Sequence, residues 1–202
     1  MTRPVLVTPA TVLPVTVDEV KAALRIAVVG EDGAVEPHDD DGLIETLIQA
    51  AVDHYSGWNG TLGISLVESE WEQKFDSFSQ ILPLLVGPVL SIASLAYRNR
   101  SELSTTINDS VYSLKTDAAG RSFVRFANAF ILPSDLYEDE AVLVRYKAGW
   151  PVDAGKATTP ADLRTAIMMR VQLHYDEAAT GGSTTLERVE ANLLSKYRRF
   201  SV

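Results

Sequence analysis

The sequence predicts an α+β fold: a small helical bundle, with two N-terminal and two C-terminal helices, and an inserted antiparallel β-sheet region. Three observations predict it. An apolar stripe at helical spacing runs from Leu43 to Tyr55. The hydrophobic period changes to two between Ile64 and Lys147. Helical spacing then returns after Thr159.

Residues 1–15 are rich in valine and punctuated by Pro4, Pro9 and Pro14, which suits an extended arm that packs on something or stays disordered. Thr16-Val17-Asp18-Glu19 has the form of a capping box. Val17, Val20, Ala23, Leu24 and Ala27 follow at helical spacing, so a short helix should run to about Ile26 and end before the Gly30 to Pro37 stretch. Asp39, Asp40 and Asp41 precede Leu43, Ile44, Leu47, Ile48, Ala51, Val52 and Tyr55, the apolar face of a second helix. The aspartates read as an N-cap with charge favourable to the helix dipole. A calcium loop would need the EF-hand spacing and a distal glutamate, and both are missing.

Val67, Ser69, Trp71, Gln73 and Phe75 alternate with Glu68, Glu70, Glu72 and Lys74, the pattern of a strand with one buried and one solvated face. Further strands are predicted over Ile81 to Val86, Ser91 to Arg98, Val111 to Lys115, Ser122 to Phe126 and Ala141 to Lys147. Pro83 and Pro88 confine parts of this sheet to edges or turns, and Asp117 to Gly120 reads as a hairpin turn.

The run through Ala148, Gly149, Trp150 and Pro151 leads to a helix capped at Thr159, with Pro160 in its first position and Asp162 placed to satisfy first-turn amides. Leu163, Ala166, Ile167, Arg170, Val171 and His174 line its inner face. Thr180 to Ser183 breaks it. A capping box at Thr184 to Glu187 starts the last helix, which carries Leu186, Val189, Leu193, Leu194 and Tyr197. The organisation is an extended arm at 1–15, a single domain at 16–179 with its β insertion at about 64–147, and a C-terminal helix and tail at 183–202.

At 202 residues and 46% apolar, the chain can bury roughly two-thirds of its unfolded surface. Its net charge of −9 argues against a sequence-reading nucleic-acid binder, which needs a basic stripe. It does not exclude a wall past which DNA slides without being gripped. There is no cysteine, so no disulfide, thiolate nucleophile or Cys-ligated zinc is available. Prolines interrupt the first twenty residues, and Pro83, Gly87 and Pro88 interrupt Ile81 to Leu95, so neither a signal peptide nor a membrane span is expected. The chain reads as a protein made in the cytoplasm.

Chemistry-bearing motifs are sparse. His38, His54 and His174 sit in no recognisable motif, and Asp53 and His54, adjacent on a helix, point about 100° apart. Glu68, Glu70 and Glu72 could form a metal or acid/base ridge, although a solvated strand face explains them more simply. Phosphate-binding and dinucleotide-binding glycine patterns and the zinc-protease motif are missing, so no cofactor, metal or catalytic site is expected. One local charge anomaly remains at the end of the last helix. Arg188, Lys196, Arg198 and Arg199 gather there with Leu193, Tyr197 and Phe200, either to complement the helix dipole or to dock on an acidic partner.

The order of segments resembles the head-to-tail connector, or adaptor, family of long-tailed bacteriophages and phage-like gene transfer agents. The resemblance is carried by Val15 to Ile26, Asp40 to Tyr55, Gln73 to Phe78, Leu82 to Leu85, Tyr146 to Trp150, Pro160 to Ile167 and Arg188 to Arg199. It implies a non-enzymatic ring subunit, twelvefold in assembled particles, placed in the virion neck between the portal and the next tail-proximal ring, the stopper or head-completion protein. DNA would pass through the bore without sequence-specific binding. With it goes a portal-binding role for Arg188, Leu193, Lys196, Tyr197, Arg198, Arg199 and Phe200. Another phage ring, such as a tail terminator or head-completion ring, is the alternative. An enzyme built on dispersed carboxylates and His174 is a more distant one.

Overall fold

The computed structural model describes residues 3–175 and 183–198. Their helical half consists of α1 (Val17–Leu24), α2 (Asp41–Tyr55), α3 (Ala161–Tyr175) and α4 (Ser183–Leu194), the last followed by a 3-10 turn at Ser195–Tyr197. Between α2 and α3 the chain forms β2 (Ser69–Phe75), β3 (Ile81–Pro83), β4 (Val89–Arg98), β5 (Ser104–Thr106), β6 (Tyr112–Thr116), β7 (Ser122–Phe126) and β8 (Val142–Ala148). The expected α+β arrangement, helices flanking an inserted antiparallel region, is therefore present.

In α1 the capping box forms as the sequence suggests. The Glu19 amide donates to Thr16 Oγ1 at 3.2 Å, and the Thr16 amide donates to Glu19 Oε2 at 3.0 Å. The helix stops at Leu24, two residues before the expected end, because Arg25 turns left-handed at φ 61°. In α2 the buried residues Ile44, Ile48, Ala51 and Tyr55 fall at helical spacing, and burial of each isoleucine is worth about 1.5–3 kcal/mol. They meet Val15, Val20, Leu163, Ala166, Ile167, Val171 and Leu194 in one helical core.

Two expected caps have other work. Asp40 stands at the N-cap of α2 without a side-chain capping bond, and its carboxylate accepts from the Tyr175 hydroxyl at 2.6 Å. Asp41 reaches the buried Lys21 ammonium, its Oδ1 at 3.0 Å, and also accepts from the His38 amide at 3.1 Å. Lys21 is 1% exposed, so its charge has to be met inside the protein. At α3, the Thr159 hydroxyl donates to the Leu66 carbonyl at 2.6 Å, tying the helix entry to the segment that leads into β2.

The arm is a strand on this same chain. β1 (Val5–Thr8) pairs antiparallel with β2, Val5 opposite Glu72 and Leu6 opposite Trp71. Val12 and Leu13 then pack on the helical core and Val15 is buried in it, so the segment links the two halves. β1 is one outer strand of a five-stranded sheet ordered β1-β2-β8-β4-β5, and β5 is the other. A three-stranded sheet, β3-β7-β6, places Pro83 at the end of an outer strand, where a missing N–H is tolerated. Trp71, Phe75, Leu95, Val142, Val144 and Tyr146 from the larger sheet share a second core with Leu82, Val124 and Phe126 from the smaller one.

Polar groups inside this second core are paired. Gln73, 0% exposed, donates to the Pro83 carbonyl at 3.0 Å and accepts from the Leu85 amide at 3.1 Å. The side chain supplies to residues 83–85 what a neighbouring strand's backbone would otherwise provide.

The return from sheet to helix depends on Gly149, whose φ of +113° and close approach to Val67 leave no room for a side chain. A Cβ there would lie 2.3 Å from the Val67 carbonyl oxygen. The Glu68 amide donates to the Trp150 carbonyl at 2.8 Å. A short hairpin, β9 (Val152–Asp153) with β10 (Lys156–Ala157), then leads to α3.

Candidate interaction surfaces

No helix among the described residues is long and apolar enough to cross a membrane, and none of their His, Asp and Glu side chains group in threes suited to hold a metal ion. His38 Nδ1 accepts from the Asp40 amide at 3.1 Å. The His54 ring packs edge-on against Tyr55, and burial, then the Arg170 charge, lowers its proton affinity. Asp53 accepts from Gln49 at 2.8 Å, and His174 is exposed. His174 is among the charges that act on His54, after Arg170 and Glu190, so these two lie near each other, and no metal-holding group of His, Asp and Glu forms around them among the described residues.

The glutamate ridge of β2 is a face of cross-strand ion pairs. Glu72 meets Arg145 at 2.9 Å and Glu68 meets Lys147 at 2.8 Å, both from β8, while Lys74 meets Glu140 at 2.7 Å. The register puts Glu72 directly opposite Arg145, which is why these charges pair. Glu70, on the same face and opposite Lys147 in the register, accepts from the Thr8 hydroxyl of β1 at 3.5 Å.

The C-terminal residues singled out by sequence are divided between anchorage and exposure. Lys196 makes an ion pair with Asp162 in the first turn of α3, and its hydrogen bond to that carboxylate raises its proton affinity. Tyr197 packs edge-on against Trp150, ring centroids 6.0 Å apart, at the sheet-to-helix return. Leu193 is half-buried. Arg188 and Arg198 are exposed, while Arg199 and Phe200 lie outside the described residues.

The contacts that hold α4 in place leave no local signal in the sequence. Glu190, 7% exposed, receives the Tyr55 hydroxyl of α2 and lies 3.2 Å from Arg170 of α3. The Arg170 guanidinium also lies over the Tyr55 ring, 5.7 Å from its centroid. Burial, and then the Glu190 hydrogen bond, push the Tyr55 phenol well above its ordinary value. Leu194 enters the helical core beside this cluster.

Other surfaces expose apolar or cationic residues. Val5, Leu6 and Val7 of β1 are exposed, and a groove of about 800 Å³ runs between the arm, α2 and Trp71. Val28 and Val29 stand out at 57% and 61% exposure, on the first limb of a loop closed by the Val29–Val35 bridge. On the smaller sheet, Lys115, Phe123 and Arg125 share the outer face. Its trace in the sequence is Arg125, set between Val124 and Phe126.

No family model matches the chain, and no curated protein does. Solved structures do. A chain in the neck of an empty GTA particle, computed with C6 symmetry, is 18% identical at a TM-score of 0.76, the match covering 100% of this chain and 97% of that one. A chain in the virion of a native gene transfer agent (GTA) particle is 17% identical at a TM-score of 0.71, covering 98% and 96%. A chain in the neck of a native GTA particle, computed with C12 symmetry, is 18% identical at a TM-score of 0.69, covering 100% and 97%. At these identities the likeness establishes the fold. This chain has, end to end, the fold of proteins in gene transfer agent particles, two of them neck structures.

Proposed function

We propose that this chain is a structural subunit of the neck of a phage or phage-like gene transfer agent particle. It acts as a head-to-tail connector, forming a ring between the portal and the next tail-proximal ring, and DNA passes through the bore. The observation that carries the reading is the end-to-end match to a neck chain at a TM-score of 0.76. Symmetric necks, computed with C6 and C12 symmetry for the similar chains, support ring assembly. The net charge of −9 suits a channel wall that repels the DNA it surrounds.

In this reading the chain works through surfaces and needs no pocket, cofactor or metal. α4 is the portal-facing element. Its inner side is fixed by Glu190, Leu194 and the Lys196–Asp162 pair, which leaves Arg188 and Arg198 exposed toward a partner, with Arg199 and Phe200 following. Arginine with aromatic neighbours is the composition of an interface centre.

Co-sedimentation with purified portal tests this. The wild-type chain should pellet with the portal, and R188E/R198E should weaken that association tenfold or more while the fold is kept, about the cost of losing a charge-assisted contact. A wild-type chain that never binds the portal would overturn the reading. Binding that is indifferent to both arginines would overturn the role of α4.

A further inference from the structure

We infer that the outer face of the three-stranded sheet is a self-recognition surface that seats the acidic 28–36 hairpin of a second copy of this chain. The register places Ile81, Arg125 and Ser113 in one row across that face, and Pro83, Phe123 and Lys115 in the next. Leu82, Val124 and Phe126 point the other way, into the core. Lys115 and Arg125 are exposed, Phe123 is half-exposed between them, and Ile81 is 43% exposed. Neither cation takes part in an ion pair among the described residues, unlike the nearby Arg121, which Asp117 holds at 2.8 Å.

The complementary element is on the helical half. The Gly30 amide donates to the Ala34 carbonyl at 2.9 Å, and the Glu36 amide donates to the Val28 carbonyl at 2.8 Å, closing a hairpin. Its tip and flank carry Glu31, Asp32 and Glu36, all exposed, and its base exposes Val28 and Val29. No ion pair within the described residues uses these carboxylates. Apolar Val28 and Val29 would cover Ile81 and Phe123, and the carboxylates would meet Lys115 and Arg125.

Chains of net charge −9 repel one another, so a contact between copies needs a local reversal of sign, and this face provides one. Two unlike patches on one chain give a heterologous contact, which closes into a ring when the rotation per subunit allows. The inference takes from the neck reading only that copies meet head to tail. Duplex DNA is the poorer occupant, because two free cations on an acidic chain neutralise few phosphates.

The chain lacks cysteine, so disulfide trapping is clean. Full-length Glu31→Cys and Ser113→Cys chains, mixed and oxidised, should form a linked dimer well above the level of a Glu31→Cys and Glu102→Cys control. The double variant E31C/S113C should form a ladder. Adding K115E/R125E to the Ser113→Cys chain should lower the yield about tenfold, and pairing that chain with E31C/E36K in place of Glu31→Cys should raise it again, as expected for complementary charges. No product above the control, or a ladder indifferent to K115E/R125E, overturns the contact. Duplex DNA retained by wild type and released by K115E/R125E would also overturn it, assigning the face to nucleic acid. Portal co-sedimentation run alongside separates the two readings. Cross-links without portal binding fault the neck assignment alone, and portal binding without cross-links faults the contact alone.

Discussion

The Tyr55 hydroxyl donates to the Glu190 carboxylate, joining α2 to α4 across the helical core, and Arg170 of α3 lies 3.2 Å from the same oxygen. The helix that carries the proposed portal contact is therefore held by a buried polar cluster as well as by Leu194. A buried carboxylate with two partners is costly to leave unpaired.

Arg170→Ala should destabilise the chain by about 3–5 kcal/mol, since it removes the cation facing a buried glutamate. Tyr55→Phe should cost less, about 1–3 kcal/mol, because Arg170 stays. Urea unfolding checks both, and equal losses would argue that the ion pair is not the stronger element.

The same cluster sets an alkaline limit. Tyr55 ionises less readily in the folded chain than in the unfolded one, first because it is buried and then because it donates to Glu190. Above the ordinary phenol value of about 10 the unfolded chain releases this proton first, so stability falls as pH rises. Tyr55→Phe should flatten the stability profile there, and a variant as steep as wild type would assign the loss to other groups.

At the acid end Asp41 acts in the opposite direction. The His38 amide, then the Lys21 ammonium, hold its carboxyl below the usual range. Its contribution is present above the unfolded value of about 3.9 and is lost as pH falls toward its lower folded value. Asp41→Asn should be less stable at neutral pH and lose less between pH 5 and 2, as read by circular dichroism.

Gly149→Ala should cost about 3 kcal/mol or more, from a left-handed φ of +113° and a Cβ driven onto the Val67 carbonyl. Gly120→Ala serves as the comparison. It has φ +75° but open space around it, so it should cost less in the same thermal melt.

The alternation of β2 and the Asp117 to Gly120 hairpin could be read from sequence because period and turn chemistry are local. β1 reads from sequence only as an extended arm, since Pro4 and Pro9 flank a four-residue strand whose partner, β2, lies some sixty residues on. β5, three polar residues long, and the β9–β10 hairpin leave no periodic trace. Asp40 and Asp41 looked like caps because Tyr175 and Lys21 are brought to them only by folding. For the same reason Tyr55 reads as part of an apolar stripe, and Glu190 carries no local signal of its role. The C-terminal group was legible as a charge anomaly, but the sequence could not separate Lys196 and Tyr197, which anchor, from Arg188 and Arg198, which face outward.

Electron microscopy of the chain mixed with purified portal tests the central claim most directly. The neck reading predicts a second ring stacked coaxially on the portal, with α4 of every subunit on the portal side and an open bore. Bare portal rings beside unassembled chain would contradict it.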